Sequence, residues 1–176
     1  MENISKVRLK IFTLGTPKIE LDGEKLKMKT RKNLALLTYL AVTGQVHRRE
    51  SLITLLWPEL EPSRARGGLR RELSTLKKAL PDGLIKADRQ TIGLERGVGI
   101  WLDIDQFKKY LQNFHHHNHP KGESCKDCEE DLIKAIKLMK GDFLEGFSLP
   151  DSTNFDEWQF FQTESFARLD YCYIIF

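Results

Sequence analysis

The chain has 176 residues, of which 40% are hydrophobic and 30% are charged, a composition that can bury one sizeable core or two small ones. Residues 1–100 contain 20 Lys and Arg against 11 Asp and Glu, a net charge of +9, whereas residues 101–176 contain 8 against 14, a net charge of −6. The first part therefore attracts polyanions and the second does not. No apolar run reaches the roughly 18 residues of a membrane span and the start lacks a signal-peptide pattern, so we expect a cytoplasmic protein without membrane contact.

The sequence opens with strand patterns. Apolar and polar side chains alternate at period two over residues 7–14, and the alternation resumes over residues 18–21 after a Gly-Thr-Pro interruption. An Asp-Gly turn then leads to a third short strand over residues 25–28. These patterns predict a small antiparallel sheet at the N-terminus.

Two short helices are predicted next. Thr30 is suited to cap the first of them, whose apolar stripe ends near Gly44. Residues 48–57 have the apolar spacing of a second helix, which Pro58 ends because proline disfavours a helical residue before it. Both helices lie close in sequence to the basic segment that follows, and we expect them to support it.

The run over residues 63–80, SRARGGLRRELSTLKKAL, separates into two faces at helical spacing. One face is an apolar stripe of Leu69, Leu73, Leu76 and Leu80. The opposite face is long and cationic, and it consists of Arg64, Gly67, Arg71, Ser74, Thr75 and Lys78, with Arg70 at its margin. Since arginine pairs with guanine edges and with phosphates, this face predicts a helix that lies in a DNA major groove. A solvated surface helix is the alternative.

A β-hairpin is predicted directly after the basic helix. Residues 84–87 and 91–94 have strand character and flank a polar tip made of Asp88, Arg89 and Gln90. Two supporting helices, a basic helix and then a hairpin follow one another in the order of a winged helix-turn-helix, in which the third helix reads DNA and the hairpin is the wing.

Two adjacent glycines interrupt the basic helix. Gly67 and Gly68 each cost on the order of 1 kcal/mol of helix propensity relative to alanine. Tight packing against the second helix would explain such a pair, and so would a bare backbone that lets a phosphate approach closely. The sequence leaves both explanations open.

From residue 101 onward the sequence is acidic and its apolar period is helical. Apolar residues mark three amphipathic helices, around residues 104–111, 132–139 and 160–169. The aromatic residues of the last segment, Phe155, Trp158, Phe160 and Phe161, are candidates for the core or for contact with a partner protein. The chain ends on an apolar segment without a stop signal, which predicts that the protein continues or that this end docks onto a partner.

Four segments resemble the SARP-type bacterial transcriptional activators, whose DNA-binding domain is an OmpR/PhoB-like winged helix. They are TRKNLALLTYLAVTGQVHRRESLITLLWPE from residue 30, ARGGLRRELSTLKKAL from residue 65, GDFLEGFSLPDS from residue 141 and FDEWQFFQTES from residue 155. The resemblance implies an α+β fold in which residues 1–100 form a winged-helix domain, with an N-terminal antiparallel sheet and a C-terminal wing. Residues 101–176 would then begin an all-α, tetratricopeptide-like transcriptional activator domain that is larger in the family.

The winged-helix interpretation assigns DNA contacts to three places. The recognition helix supplies Arg64, Arg70, Arg71, Ser74, Thr75 and Lys78, among which Arg71 and Thr75 are the expected base readers. The wing tip supplies Arg89 and Gln90. The starts of the first two helices supply phosphate contacts through Thr30, Arg31, Lys32, Arg48 and Arg49.

These expectations together describe a sequence-specific DNA-binding transcriptional regulator. We expect an activator that binds promoter DNA and contacts RNA polymerase, or a second copy of itself on double-stranded DNA, through the acidic helical part. The alternative is a winged-helix protein-interaction module that does not bind DNA, although such a module would present a more apolar face. No phosphate-binding glycine loop or nucleophile elbow occurs, so we expect neither an enzyme nor a cofactor.

A histidine cluster precedes a Cys-x-x-Cys pair in the acidic part of the chain. Four of these side chains have the donor types that zinc prefers, namely His117, His119, Cys125 and Cys128. Their spacing is not that of a standard zinc finger and the region has the composition of an exposed loop. A solvated loop is therefore the default, and no metal site is predicted.

Overall fold

The computed structural model describes residues 8–95, 99–116 and 125–174 of the chain. Within these ranges the strands are β1 (Leu9–Phe12), β2 (Lys18–Leu21), β3 (Glu24–Lys25), β4 (His47–Arg48), β5 (Ile85–Ala87), β6 (Thr91–Leu94) and β7 (Ile100–Leu102). The helices are α1 (Arg31–Thr43), α2 (Arg49–Leu56), α3 (Pro62–Ala79), α4 (Asp103–His116), α5 (Lys126–Leu138) and α6 (Thr153–Ile174). The described residues thus form a mixed α/β fold with two small sheets. Helices α1 to α3 precede residue 80 in the sequence, and α4 to α6 follow residue 102.

The first sheet has the strand order β3-β2-β1-β7. Its three antiparallel strands confirm the N-terminal sheet predicted from the sequence, although β1 and β3 are shorter than the patterns suggested. The fourth strand, β7, was not predicted and pairs with β1 in parallel, with Leu9 opposite Ile100. This pairing joins the start of the chain to the residues that follow the hairpin.

The second sheet contains the predicted hairpin. Strands β5 and β6 pair antiparallel around the tip, with Ala87 opposite Ile92, and β4 adds to the other edge of β6. Helix α1 begins and ends as the sequence predicts, since the Thr30 side chain caps the N–H of Asn33 and Gly44 adopts a left-handed φ of 62° at the C-cap. Helices α1 and α2 both pack on α3, and the tip of the hairpin faces α3 across a cleft.

Helix α3 buries the predicted leucine stripe. Leu69, Leu73, Leu76 and Leu80 are between 0% and 6% exposed. The helix begins one residue earlier than predicted because Pro62 occupies its first turn and the Glu61 side chain accepts a hydrogen bond from the N–H of Ser63. Gly68 lies against Trp57, where a Cβ would come within 3.0 Å of the indole ring, so this glycine is explained by close packing of α3 on the end of α2.

The helical part shares one core with the first part of the chain. The predicted boundary at residues 100 and 101 falls inside β7, and a backbone bridge joins Leu14 to Phe143. Of the four candidate aromatic residues, Phe155 is fully buried and Trp158 packs on Tyr39 at a ring-centroid distance of 4.9 Å. By contrast, Phe160 and Phe161 lie on the outer face of α6, where they are 60% and 65% exposed.

Asp103 joins the end of β7 to the end of β1. Its carboxylate, 1% exposed, accepts hydrogen bonds from the N–H of Thr13 at 2.5 Å, the N–H of Leu14 at 2.8 Å and the Thr13 hydroxyl at 2.7 Å. A fourth bond comes from the N–H of Ile104 at 2.8 Å. Burial raises the pKa of the Asp103 carboxyl, while these hydrogen bonds act in the opposite direction.

Replacing Asp103 by asparagine is expected to lower the free energy of unfolding by about 2 to 4 kcal/mol, because the amide group would face N–H donors and leave one of them unpaired in the core. Urea unfolding followed by circular dichroism measures this loss. The control is Asp142→Asn at an exposed position, which should change stability by less than about 0.5 kcal/mol. Equal effects of the two substitutions would contradict the structural role given to Asp103.

Candidate nucleic-acid interface

The outer face of α3 is polar and open to solvent. Arg64, Arg71, Ser74 and Lys78 are exposed, as the helical spacing predicts, and Arg70 is exposed on the side that faces the hairpin. Gly67 is half-buried, and a Cβ there would meet only the guanidinium of Arg71, at 3.6 Å. The backbone at Gly67 is therefore accessible from outside, unlike that at Gly68.

Thr75 lies at the edge of this face. It is half-buried, and its hydroxyl donates a hydrogen bond to the carbonyl of Arg71 at 3.0 Å. Together with Lys78 it borders a shallow pocket of about 300 Å³ whose other wall contains Lys27 and Lys29. The cationic surface of α3 thus continues onto the link between β3 and α1, where the sequence analysis assigned no contact.

A cleft of about 670 Å³ separates α3 from α2 and the hairpin. We call it the arginine cleft, since its walls carry five arginines and one carboxylate: Arg48, Arg49, Arg66, Arg70, Arg89 and Glu50. Among them, Arg66 pairs with Glu50 at 3.0 Å. With a net charge of +4 around one concave opening, the cleft is suited to hold phosphate groups.

The tip of the hairpin is fixed against the start of α2. The Asp88 carboxylate accepts hydrogen bonds from the N–H groups of Gln90 and Thr91, both at 2.7 Å. The backbone N–H bonds from Gln90 and Thr91 and the Thr91 hydroxyl hold the pKa of the Asp88 carboxyl below its usual range. Arg49 ties the two elements together, since its N–H donates to the Gln90 carbonyl and its guanidinium to the Asp88 carbonyl. Arg89 and Gln90 are thereby presented at the mouth of the cleft.

The start of α1 differs from what the sequence analysis expected. Lys32, proposed there as a phosphate contact, is only 15% exposed, pairs with Asp151 at 2.9 Å and lies over the Trp57 ring. Arg31 is exposed but donates to the carbonyl of Ser148 at 3.0 Å, with its guanidinium over the Phe147 ring. These two cations bind the segment before α6, because that segment covers the start of α1.

Thr30 also has partners within the protein. Besides capping α1, its hydroxyl donates to the Glu72 carboxylate at 2.6 Å, and the Asn33 amide donates to the Glu72 carbonyl at 3.1 Å. Thr30 therefore connects α1 to α3 and has less freedom to contact a phosphate than the sequence suggested.

Sequence reasoning missed three cations of this surface. Arg66 was left out because it lies well off the centre of the basic face, on the side of α3 that meets α2. Lys27 was placed in the predicted third strand and Lys29 after it, and neither belongs to the basic helix or the hairpin to which DNA contacts were assigned. Only knowledge of which side of α3 faces α2, and which faces α1, would have identified them.

The four side chains with zinc-donor chemistry do not all lie within the described residues. His117 and His119 lie outside them, whereas Cys125 and Cys128 lie at the start of α5 with their sulfur atoms 3.5 Å apart. Burial raises the pKa of the Cys128 thiol. Among residues 8–95, 99–116 and 125–174 no group of three potential metal ligands comes together. Over the same ranges, no helix has both the length and the apolar character needed to cross a membrane.

Comparison with known proteins identifies a related fold. No family model and no curated protein sequence matches the chain. A solved structure of Mycobacterium tuberculosis EmbR, in complex with a low-affinity phosphopeptide, superposes with a TM-score of 0.73 at 22% sequence identity. The match covers 93% of this chain and 44% of the EmbR chain, so the chain spans less than half the length of that protein. The chain therefore has the fold of the corresponding part of EmbR.

Proposed function

We propose that the chain is the DNA-binding part of a transcriptional regulator of the SARP type. In this proposal α1, α2, α3 and the β5–β6 hairpin act as a winged helix, and α4 to α6 begin a tetratricopeptide-like domain. The observation that carries the proposal is the arginine cleft, which lies between α2, α3 and the hairpin and adjoins the exposed basic face of α3. A winged helix places these same three elements against DNA.

The surface divides into positions suited to bases and positions suited to phosphates. Arg71 is central and exposed on α3, so it is the proposed reader of a guanine edge, with Ser74 beside it. Thr75 offers its hydroxyl oxygen as an acceptor at the rim of the groove. The phosphate contacts are assigned to Arg48, Arg49, Arg64, Arg66, Arg70, Lys78, Arg89 and Gln90. Lys32 is left out, since its side chain is largely buried as well as paired with Asp151, whereas Arg66 is paired with Glu50 but remains exposed.

The regulatory part of the proposal rests on charge and on the fold. EmbR is itself a transcriptional regulator of the SARP family, and residues 101–176 carry a net charge of −6 that is unsuited to DNA. A protein partner such as RNA polymerase, or a second copy of the chain on adjacent half-sites, fits this part better. The competing function, a protein-docking winged helix, is disfavoured because the exposed face of α3 is cationic and contains no large apolar side chain.

Binding to duplex DNA should depend strongly on salt. If the cleft and the α3 face neutralise several phosphates, the logarithm of the association constant falls linearly with the logarithm of salt concentration, with a slope of about −0.9 per phosphate. Fluorescence anisotropy with a labelled duplex between low and moderate salt measures the slope, and Arg89→Ala should make it shallower by about one unit. A wild-type slope near zero would rule out the DNA interface and favour the protein-docking alternative.

Sequence discrimination should depend on Arg71. On a selected binding site, Arg71→Ala is expected to cost about 1 to 3 kcal/mol of binding free energy, because a bidentate contact with guanine is lost. On random duplex the cost should be smaller, so the ratio of the two affinities falls. Arg64→Ala, at an exposed position near the start of the same helix, is the comparison and should weaken both duplexes to a similar extent. If Arg64 and not Arg71 controls the ratio, the rotation assigned to α3 is wrong.

A further inference from the structure

The C-terminal end of α2 is held by side chains from other parts of the chain. A helix leaves its last four carbonyls without partners. In α2 these belong to Ile53, Thr54, Leu55 and Leu56, and only the first is satisfied locally, by the N–H of Trp57 at 2.8 Å.

Two of the remaining carbonyls are satisfied by residues at the start of α6. The Ser152 hydroxyl, which is fully buried, donates to the Leu55 carbonyl at 2.7 Å, and the Asn154 amide donates to the Thr54 carbonyl at 2.9 Å. Both contacts span about one hundred residues of sequence. The start of α6 therefore holds the C-terminal end of α2 in place.

The last carbonyl is satisfied indirectly by the same segment. The Lys32 ammonium donates to the Leu56 carbonyl and is itself held by Asp151 at 2.9 Å. The same ammonium lies 4.9 Å from the centre of the Trp57 ring, and that ring packs on Gly68 of α3. Asp151, Ser152 and Asn154 thus hold the C-terminal end of α2, which packs on α3 through Trp57 and Gly68.

The other end of α2 holds the DNA-facing elements. Arg49 binds the carbonyls of Asp88 and Gln90 in the hairpin, and Glu50 pairs with Arg66 of α3. A second connection runs beside it, since Trp158 of α6 packs on Tyr39, and the Tyr39 ring lies 4.8 Å from that of His47 in β4. Strand β4 is in turn paired with the hairpin strand β6.

We propose that Asp151, Ser152 and Asn154 are positioning residues for the arginine cleft: by holding the C-terminal end of α2 they set the spacing between α3 and the hairpin. This inference rests on the proposed function, because it assigns to the acidic part of the chain an effect on the DNA-binding surface. None of these residues contacts the cleft itself, so their effect passes through α2.

Asn154→Asp separates this role from simple stabilisation. The substitution preserves the shape of the side chain and places a carboxylate in the first turn of α6, where it stabilises that helix. The same carboxylate faces the Thr54 carbonyl at the negative end of α2. The hydrogen bond to that carbonyl is therefore replaced by repulsion between two oxygen atoms. Thr153→Asp, on the neighbouring exposed residue, adds the same charge to α6 without facing α2 and is the matched control.

The test measures duplex DNA affinity across a salt series and backbone hydrogen exchange for the whole chain and both variants. We expect Asn154→Asp to weaken DNA binding about tenfold, a change that corresponds to the loss of one or two hydrogen bonds. The salt slope should stay unchanged, because no phosphate contact is removed. Exchange should become faster in α2 and in the hairpin, whereas Thr153→Asp should behave like the wild type.

The outcomes distinguish this inference from the proposed function. Unchanged affinity and exchange in Asn154→Asp would overturn the positioning role even if the wild type binds DNA. If the wild type does not bind duplex DNA, the proposed function fails. The hydrogen-exchange rates of the hairpin in Asn154→Asp and Thr153→Asp then decide whether the start of α6 positions the hairpin. If Asn154→Asp does not fold, the uncharged pair Asn154→Ala and Thr153→Ala replaces it, with the same expected direction in affinity and exchange.

Discussion

Replacing Arg70 by glutamate is expected to weaken binding to duplex DNA by about 100-fold at moderate salt, the largest loss for a single residue of the interface. Arg70 lies where α3 faces the hairpin across the arginine cleft. The substitution removes one phosphate contact and puts a carboxylate in its place, beside Glu50, so that attraction is replaced by repulsion within a concave and partly desolvated opening. Anisotropy titrations at several salt concentrations measure the loss and the accompanying change in slope.

The control for Arg70→Glu has to change the charge equally without touching the cleft. Lys137→Glu, at an exposed position on α5, meets this requirement, and it should weaken binding by no more than about threefold through the long-range field alone. Circular dichroism shows whether both variants remain folded. If the two substitutions weaken DNA binding equally, binding responds to net charge only and the arginine cleft is not the site.

The parts of the fold that sequence predicts well are those fixed by neighbouring residues. Thr30 and Gly44 bracket α1 because a cap and a left-handed turn need only local chemistry. The hairpin around Asp88 was predicted for the same reason, since that carboxylate satisfies N–H groups two and three residues further on. The leucine stripe of α3 indicated correctly which side is buried, because helical period and burial are directly related.

The parts that sequence did not predict depend on pairings across long separations. Strand β7 has three residues and no clear alternation, and it becomes a strand only because β1 lies beside it. Lys32 was predicted to contact a phosphate, because nothing near it in the sequence indicates that the fold brings Asp151 to it. Arg66 joins the cleft only because α2 supplies Glu50 on that side. In each case the decisive partner lies outside the local pattern, so periodicity alone cannot identify it.

Cutting the chain at the predicted boundary near residue 100 should also have a large effect on DNA binding and stability. From charge alone, a fragment of residues 1–101 should keep most of the DNA affinity, since it contains all the proposed contacts. The packing leads to the opposite expectation. The cut removes Asp103 and its hydrogen bonds to Thr13 and Leu14, and it removes Phe143 and Phe155 from the shared core. It also removes the caps of α2.

We therefore expect the 1–101 fragment to lose its cooperative thermal unfolding and to bind duplex DNA only weakly. The contacts removed include several buried aromatic residues, each contributing about 3 kcal/mol or more, and their sum is comparable to the total stability of about 5 to 15 kcal/mol that a domain of this size has. Circular dichroism melts and anisotropy titrations measure both properties.

The appropriate control is a chain that ends at residue 168, after Phe166, the last buried residue of α6 among the described side chains. It retains Asp103, residues 151–154 and Trp158, so it should unfold cooperatively and bind DNA like the whole chain. A 1–101 fragment that melts cooperatively and binds with full affinity would instead show that the charge boundary is also a folding boundary. In that case the contacts between α2 and α6 would connect two independent units without stabilising the first of them.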